Sequence, residues 1–170
     1  MKERRHMIIV GFMGSGKTTI AKALARQLAS DSIDLDSFIT EREGRSPAQI
    51  IEQDSEPTFR QIEARALHDV LEKNDARVIA LGGGTWTIAE NRALIAQNNC
   101  LSIWLDVPFE LCWQRISAGG NAIRPLAPNQ NSANELYESR RTSYGFANKR
   151  IPVTSGNSIE TIVQEILKQT

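Results

Sequence analysis

The sequence predicts an α/β domain built around a mostly parallel sheet, and two patterns support this prediction. Short apolar runs bounded by turn or polar residues alternate with longer segments of helical periodicity, as expected when helices connect parallel strands. A glycine-rich loop joins the first apolar run to the first helical segment. Ligands of such sheets bind beyond the carboxyl ends of the strands, so we expect the functional residues to follow the strands.

The individual elements are predicted from the same patterns. The apolar runs predict strands at residues 7–10, 33–35, 78–81, 101–105 and 151–153. Apolar stripes at helical spacing predict helices at residues 17–29, 59–71, 88–97, 108–117, 134–147 and 158–168. The segment 118–131 fits neither pattern because it is polar and rich in Gly, Pro and Asn, and such segments are often lids. No repeat or linker divides the chain, which predicts one domain over residues 1–170.

Size and composition suit one globular domain without metals or disulfides. The chain has 170 residues, of which 41% are apolar, and its 20 basic and 20 acidic side chains cancel. This balance gives no footprint for nucleic acid, and no apolar run is long enough for a membrane span. Cys100 and Cys112 lack CxxC or zinc spacing, which favours buried thiols in a reducing compartment. We expect a soluble, cytoplasmic protein with no nucleic-acid or membrane partner.

The strongest motif is a phosphate-binding loop, Gly11-Phe-Met-Gly-Ser-Gly-Lys17-Thr18, which matches G-x-x-x-x-G-K-[ST]. It follows a predicted strand and opens a predicted helix, which is the context that the motif requires. Its glycines let backbone N–H groups point inward, and the helix N-terminus adds partial positive charge. Lys17 can reach the outer phosphates, and the Thr18 hydroxyl can bind Mg²⁺. The motif predicts a bound nucleoside triphosphate, and the lack of an N-K-x-D motif favours ATP.

Candidate polar and glycine residues follow two other predicted strands. Asp34 and Asp36 would face the same side of an extended backbone, where one can hold a metal through water and the other can orient or deprotonate a hydroxyl. The alternative is that an aspartate here only caps the next helix. The run Gly82-Gly83-Gly84 predicts either close approach of a ligand to the backbone or a tight turn. Trp86, which follows the glycines, is interpreted as a packing residue.

Several arginines are candidate anion ligands, because a guanidinium can hold a carboxylate or phosphate through two parallel hydrogen bonds. Arg60 opens a predicted helix, and Arg140 and Arg141 lie together on another. Arg124 lies in the predicted lid, where a cation can stabilise a phosphoryl group during transfer. Most arginines on helices are only solvated, so the pattern alone leaves both interpretations open.

In their order along the chain, these segments resemble the shikimate kinase family. The resemblance is carried by residues 11–18, Asp34-Leu-Asp36, Phe59-Arg60-Gln-Ile-Glu63, the glycines at 82–84, residues 119–126 and the spacing of Arg140 and Tyr144. It implies a three-layer P-loop fold with a five-stranded parallel sheet in the order 2-3-1-4-5, helices on both faces and a lid at about 117–131. It also implies a helical substrate-binding region at about 34–65.

The resemblance further implies ATP-dependent phosphorylation of the 3-hydroxyl of shikimate, in the route to aromatic amino acids. The residues that it implies as catalytic are Lys17, Asp36 and Arg124. Those that would bind ATP are Gly14, Ser15, Gly16, Lys17, Thr18, Thr19, Arg115 and Arg124. Those that would bind shikimate are Asp36, Arg60, Gly82, Gly83, Gly84 and Arg140. The ligands of Mg²⁺ would be Thr18 and, through water, Asp34.

Three positions depart from the family pattern. Ile51 stands where many relatives have phenylalanine, and Ser55 replaces a common glycine before Glu56. Ala127 stands where relatives usually have a second leucine. Two rival functions are a kinase for gluconate or another sugar acid, whose substrate also carries a carboxylate and hydroxyls, and a regulatory nucleotide-binding module without catalysis. We expect a monomer whose partners are ATP and shikimate.

Overall fold

The computed structural model describes residues 5–73, 76–119 and 125–170. Its centre is an all-parallel sheet of five strands in the order β2-β3-β1-β4-β5. The strands are β1 (Met7–Val10), β2 (Ser32–Asp34), β3 (Val78–Ala80), β4 (Leu101–Asp106) and β5 (Lys149–Pro152). The predicted α/β class and the strand order implied by the family resemblance are therefore confirmed.

Helices connect the strands and cover the sheet. They are α1 (Lys17–Gln27), α2 (Leu35–Glu43), α3 (Pro47–Gln53), α4 (Glu56–Lys73), α5 (Ala89–Gln97), α6 (Phe109–Ala118), α7 (Gln130–Tyr144) and α8 (Ile159–Lys168), with one 3-10 turn at Thr85–Thr87. Helix α1 packs on α8 and against β1, β2 and β3. Every residue of β1, β3 and β4 is buried, and strand side chains alternate between faces, so both faces of the sheet centre are covered. No helix in the described ranges is long and apolar enough to cross a membrane.

Burial explains why the limits of the central strands were predicted more accurately than the start of the edge strand β5. The central strands β1 and β4 are continuous apolar runs because both of their faces are covered. The edge strand β5 begins at Lys149 and Arg150, which are only partly buried or exposed. The predicted strand at 151–153 therefore began two residues late, because the polar start of an edge strand does not stand out from a loop.

Two short helices between β2 and α4 were not predicted from periodicity, although the family resemblance implied a helical region there. Helix α2 begins directly after β2, where Asp34 Oδ1 accepts a hydrogen bond from Ser37 N at 3.0 Å, and it ends at Gly44, whose φ is 68°. Both ends therefore carry ordinary capping signals. Only Leu35 and Ile39 of this helix are buried, so its apolar stripe is too short to show as a helical period.

Helix α3 begins with a capping box, whose motif is the sequence Ser46-Pro-Ala-Gln49. Ser46 Oγ accepts from Gln49 N at 3.2 Å, and Gln49 Oε1 accepts from Ser46 N at 2.8 Å. Proline follows the cap at the first helical position, where its missing N–H costs nothing. This pattern could have predicted the helix from local sequence alone.

The predicted lid at about 117–131 lies only partly within the described residues. Pro125 and Leu126 form a turn, and Asn129 caps α7 by accepting a hydrogen bond from Ser132 N at 2.9 Å. Arg124, which was predicted to contact the transferring phosphoryl group, lies outside the described residues.

Ser55 connects α3 to α4 in a backbone conformation that side-chain-bearing residues rarely adopt. Its φ is 149°, in a region populated almost entirely by glycine. Its hydroxyl accepts a hydrogen bond from Thr58 N at 3.3 Å and so caps the start of α4. The same residue therefore strains the backbone and stabilises the helix that follows.

We predict that Ser55→Gly raises the free energy of unfolding by about 1 kcal/mol, because glycine relieves the backbone strain. The loss of the Ser55 cap subtracts little from this gain, since glycine at a helix N-cap costs little relative to serine. The matched variant Ser55→Ala keeps the Cβ but loses the cap, and it should lower the free energy of unfolding by about 1 kcal/mol. Urea denaturation measures both. Equal destabilisation by the two variants would contradict the assignment of strain.

Candidate active site

The phosphate-binding loop lies between β1 and α1 in the predicted place. Gly14 and Gly16 have φ of 75° and 88°, and a Cβ on Gly14 would lie 2.7 Å from the carbonyl oxygen of Cys112 in α6. Lys17 Nζ folds back to donate to Phe12 O at 2.8 Å. The buried hydroxyl of Ser15 has no hydrogen-bond partner among the described residues. A left-handed loop with these available donors is suited to receive phosphate oxygens.

Three other residues predicted to bind ATP lie around this loop. Thr18 and Thr19 are in the first turn of α1, where Thr18 is partly buried and Thr19 is exposed. Arg115, near the end of α6, donates from Nη1 to Gly14 O at 3.2 Å. Its guanidinium therefore lies at the edge of the phosphate loop.

The two predicted metal ligands contact each other directly. Thr18 Oγ1 donates to Asp34 Oδ2, while Oδ1 of the same carboxylate caps α2. Asp34 therefore serves as a helix cap, as the alternative interpretation held, and also faces the phosphate loop. Hydroxyl and carboxylate oxygens are ligands that Mg²⁺ prefers. In the described part of the chain no group of three or more His, Cys, Asp or Glu side chains is placed to hold a metal ion. Thr18 and Asp34 would therefore leave the other positions around Mg²⁺ to phosphate and water oxygens.

Asp36 reaches the site from a helix and not from a strand. The prediction that Asp34 and Asp36 share one face of an extended strand was wrong, because β2 ends at Asp34 and α2 begins at the next residue. The first turn of α2 instead places Asp36 against the end of β3: its Oδ1 lies 2.9 Å from where a Cβ on Gly82 would stand.

The environment of Asp36 makes its carboxyl unusually basic. Burial raises its pKa to about 6, with contributions from Asp34 and Glu63, while Lys17 and Arg60 oppose the shift. Burial likewise lowers the pKa of Lys17 to about 8, against the attraction of Asp36. Near neutral pH the two groups are therefore close to changing charge, which is typical of acid–base sites.

A cavity of about 150 Å³ opens beside Asp36. Its polar wall contains Asp36, Arg60 and Arg140, and its apolar wall includes Ile51 and Leu126. Met13 of the phosphate loop also lines it, so the cavity adjoins the nucleotide site. Its size suits a small molecule, and its polar wall suits one with an anionic group and hydroxyls.

Each glycine in the run at 82–84 lies against a different charged side chain. A Cβ on Gly82 would stand 2.9 Å from Asp36 Oδ1, and one on Gly83 would stand 3.1 Å from Arg140 Nη1. A Cβ on Gly84 would lie 2.8 Å from the Arg60 guanidinium carbon. The run therefore lets the backbone approach the charged groups of the site closely. It also forms the turn in which Thr85 N donates to Gly82 O.

Arg60 is oriented by two carboxylates of its own helix. Its Nη1 donates to Glu63 Oε2 at 2.8 Å, and its Nη2 donates to Glu56 Oε1 at 3.2 Å. Glu63 is only 1% exposed and also accepts from Thr85 Oγ1 at 2.6 Å. Sequence reasoning did not assign Glu63 to the site, although the Arg-x-x-Glu spacing on one helix could have indicated the pair.

Arg140 is buried in a different way. It is only 7% exposed, and within the described residues no carboxylate lies at salt-bridge distance from it. Burial lowers its pKa, and the nearby Arg60 adds to this effect. A buried cation without an anionic partner is costly, so this arginine favours an anionic ligand. Arg141, by contrast, pairs with Asp106 at 2.9 Å outside the cavity.

A phosphate-binding loop and an anion-selective cavity that meet at the same strand ends define a P-loop kinase acting on a small molecule. The family model for shikimate kinase matches residues 13–170. The shikimate kinase of Persephonella marina is 37% identical over 164 residues, which cover 96% of this chain and 97% of that protein. The chain belongs to the shikimate kinase family, and it is an ATP-dependent phosphotransferase.

Solved structures agree with this placement. The shikimate kinase of Acinetobacter baumannii, determined in complex with shikimate, has a TM-score of 0.87 and 31% identity, and the match covers 97% of this chain and 92% of that one. A gluconokinase of Sinorhizobium meliloti has a TM-score of 0.63 at 14% identity, over 99% of this chain and 92% of that one. The second likeness is one of fold alone, so it gives no support to the rival assignment as a gluconate kinase.

We predict that Asp36→Asn stabilises the fold at alkaline pH. Because the pKa of Asp36 is about 6 in the folded protein and 3.8 in its ordinary state, the folded state holds the proton more tightly, and wild-type stability falls as pH rises between these values. At pH 8 the variant should be more stable than wild type by about 1–3 kcal/mol, with a smaller difference at pH 4.

Urea denaturation at both pH values measures this difference. Asp54→Asn is the control, because a hydrogen bond from Arg45 lowers the pKa of Asp54 and its loss should bring no gain at pH 8. If Asp36→Asn gave no gain at pH 8 relative to pH 4, the assigned direction of the Asp36 pKa would be wrong.

Proposed function

We propose that this protein transfers the γ-phosphoryl group of ATP to the 3-hydroxyl of shikimate and releases shikimate 3-phosphate and ADP, a step in the synthesis of aromatic amino acids. The observation that carries the proposal is Arg140, a buried guanidinium without a carboxylate partner among the described residues, in the same cavity as Arg60 and Asp36. Shikimate offers one carboxylate for the two arginines and hydroxyls for the aspartate. Membership of the family and the shikimate bound to the Acinetobacter relative support this choice.

On the acceptor side, the proposed contacts follow the polar wall of the cavity. Arg60 and Arg140 hold the shikimate carboxylate, since guanidinium groups form paired hydrogen bonds with carboxylates. The glycines at 82–84 let the ring approach the backbone. Asp36 accepts hydrogen bonds from the hydroxyls, and its pKa of about 6 suits it to orient the attacking hydroxyl and receive its proton. Unpaired polar groups in this wall would penalise an analogue that lacks a hydroxyl.

On the nucleotide side, residues 14–19 hold the phosphates through backbone N–H groups and side-chain donors, and Lys17 neutralises charge on the transferring group. Arg115 lies beside the loop and is proposed to contact the adenine end. Thr18 and, through water, Asp34 would hold Mg²⁺, which supplies further charge neutralisation at the β- and γ-phosphates. Phosphoryl transfer depends mainly on such alignment and neutralisation, so these residues account for most of the chemistry.

The remaining predictions extend this proposal. Arg124 is proposed to stabilise the transferring phosphoryl group from a lid at about 117–131, and residues 34–65 to form the substrate-binding region. All described helices and strands belong to one sheet-centred unit, which supports a single kinase domain over residues 1–170. The protein is proposed to act in the cytoplasm as a monomer.

The direct test is ADP release by the purified protein with Mg²⁺-ATP and shikimate, gluconate or no acceptor. We expect ADP release to depend on shikimate and to be near background with gluconate, because the chain belongs to the shikimate kinase family and resembles a gluconokinase in fold alone. Release with gluconate but not shikimate would favour the sugar-acid kinase. ATP binding without release in any arm would favour the regulatory module and overturn the proposal.

We predict that Asp36→Asn lowers kcat with shikimate by about 10²–10⁴-fold, because the amide cannot accept the hydroxyl proton. Affinity for ATP, measured by calorimetry, should stay close to wild type because Asp36 lies on the acceptor side. Asp69→Asn, on the exposed face of α4, is the control and should keep wild-type kcat. Substantial turnover by Asp36→Asn would remove Asp36 from the catalytic role.

A further inference from the structure

Tyr144, the last residue of α7, connects two parts of the substrate cavity. Its side chain is 1% exposed, and its hydroxyl donates to Gly83 O at 2.6 Å. The Arg140 side chain, one helical turn earlier, lies close enough to this hydroxyl for the two groups to shift each other's pKa. A phenol oxygen can donate one hydrogen bond and accept another, so Tyr144 can serve the backbone carbonyl and the guanidinium at once.

Gly83 and Arg140 are themselves in close contact. A Cβ on Gly83 would stand 3.1 Å from Arg140 Nη1 and 3.5 Å from Met13 N in the phosphate loop. The phenol hydroxyl, the Gly83 peptide and the Arg140 guanidinium therefore form one compact group at the boundary between cavity and loop. Movement of any member would displace the others.

A second contact fastens the same turn to the same helix end. Trp86 Nε1 donates to Ser143 O at 2.8 Å, so the turn after β3 is tied to the last turn of α7 by both an indole and a phenol. Trp86 is buried, in agreement with its interpretation as a packing residue. Its indole N–H also fixes the position of Ser143, the residue before Tyr144. The Tyr144 hydroxyl is thus held in place from both sides.

The two arginines of the cavity are oriented by opposite means. Arg60 is held by the carboxylates of Glu56 and Glu63, whose two negative charges offset its positive charge. The polar group beside Arg140 is instead the neutral hydroxyl of Tyr144. Such a partner fixes the direction of the guanidinium without cancelling its charge, so the full attraction remains for an anionic ligand.

We propose that Tyr144 is a positioning residue for the substrate carboxylate: its hydroxyl fixes the Arg140 guanidinium and the Gly83 peptide in the geometry that receives the anion. The inference rests on the proposed function, since it assigns the carboxylate of shikimate to this arginine. Burial raises the pKa of Tyr144 to about 12, so the phenol stays neutral and keeps its donated hydrogen bond over the working pH range.

Tyr144→Phe tests the role, because it removes one oxygen and keeps the ring that packs against Trp104 at 6.0 Å between centroids. We expect the KM for shikimate to rise by about 10- to 100-fold, as for a lost hydrogen bond to a charged group. The KM for ATP should change by less than about twofold, because the loss falls on one substrate only. A merely structural role would not separate the two KM values.

The chain supplies a matched control in Tyr137→Phe. Tyr137 is also a buried residue of α7, its hydroxyl donates to the backbone at Val107 O at 2.8 Å, and it accepts from an arginine, Arg141, at 2.7 Å. That arginine does not line the cavity. Tyr137→Phe therefore removes the same chemistry with a comparable loss of stability, and it should leave the KM for shikimate within about twofold of wild type.

A double-mutant cycle with Arg140→Lys shows whether Tyr144 acts through Arg140. If it does, the effect of Tyr144→Phe on the KM for shikimate falls to about threefold or less in the lysine background, because coupled residues are not additive. An unchanged KM for shikimate in Tyr144→Phe beside an active wild type, or an equal effect of Tyr137→Phe, would overturn the positioning role alone. A wild-type protein without shikimate-dependent ADP release would overturn the proposed function as well.

Discussion

The backbone at the end of β3 lies so close to three charged side chains that a Cβ on any of the three glycines would displace one of them, and the rest of the site depends on this close approach. The three side chains belong to Asp36, Arg60 and Arg140, on helices that are far apart in sequence. Their helices must be packed before the glycines can meet them, so the cavity is a product of the whole fold. Burial of Leu35, Phe59 and Tyr144, each beside a charged residue, anchors these helix segments in the core.

Bringing these charges together is unfavourable unless each has a partner, and the partners differ in kind. Arg60 has two carboxylates, which more than cancel its charge, and Glu63 also accepts a hydrogen bond from the Thr85 hydroxyl. Arg140 has a phenol, and the lowered pKa of this guanidinium reports the cost of its burial. An arriving anion removes part of that cost. Attraction for an anion therefore comes mainly from Arg140, and the corner around Arg60 supplies geometry more than charge.

The sequence predicted the parts of the protein that depend on local or central patterns. The phosphate loop was recognised because glycine spacing, Lys17 and Thr18 are contiguous, and the central strands because both faces are buried. The strand end near Asp36 was misread, since Asp34 caps a helix whose apolar stripe is too short to detect. Tyr144 could not be assigned a role from spacing alone, because its partner Gly83 is far away in the sequence. Glu63 pairs with Arg60 three residues earlier on the same helix, so that spacing could have been used. The capping residue Ser46 could have predicted the start of α3, but the prediction from periodicity did not include it.

Lys17 links the two halves of the site under the proposed mechanism. Its ammonium donates a hydrogen bond to Phe12 O and is attracted to the carboxylate of Asp36. The pKa of Lys17 is about 8 and that of Asp36 is about 6. Phosphate oxygens beside Lys17 favour its charged form and at the same time disfavour a charged carboxylate at Asp36. The basicity of Asp36 therefore rises when the phosphate loop is loaded. The group that receives the hydroxyl proton becomes a stronger base when the phosphoryl group that the hydroxyl attacks is in place.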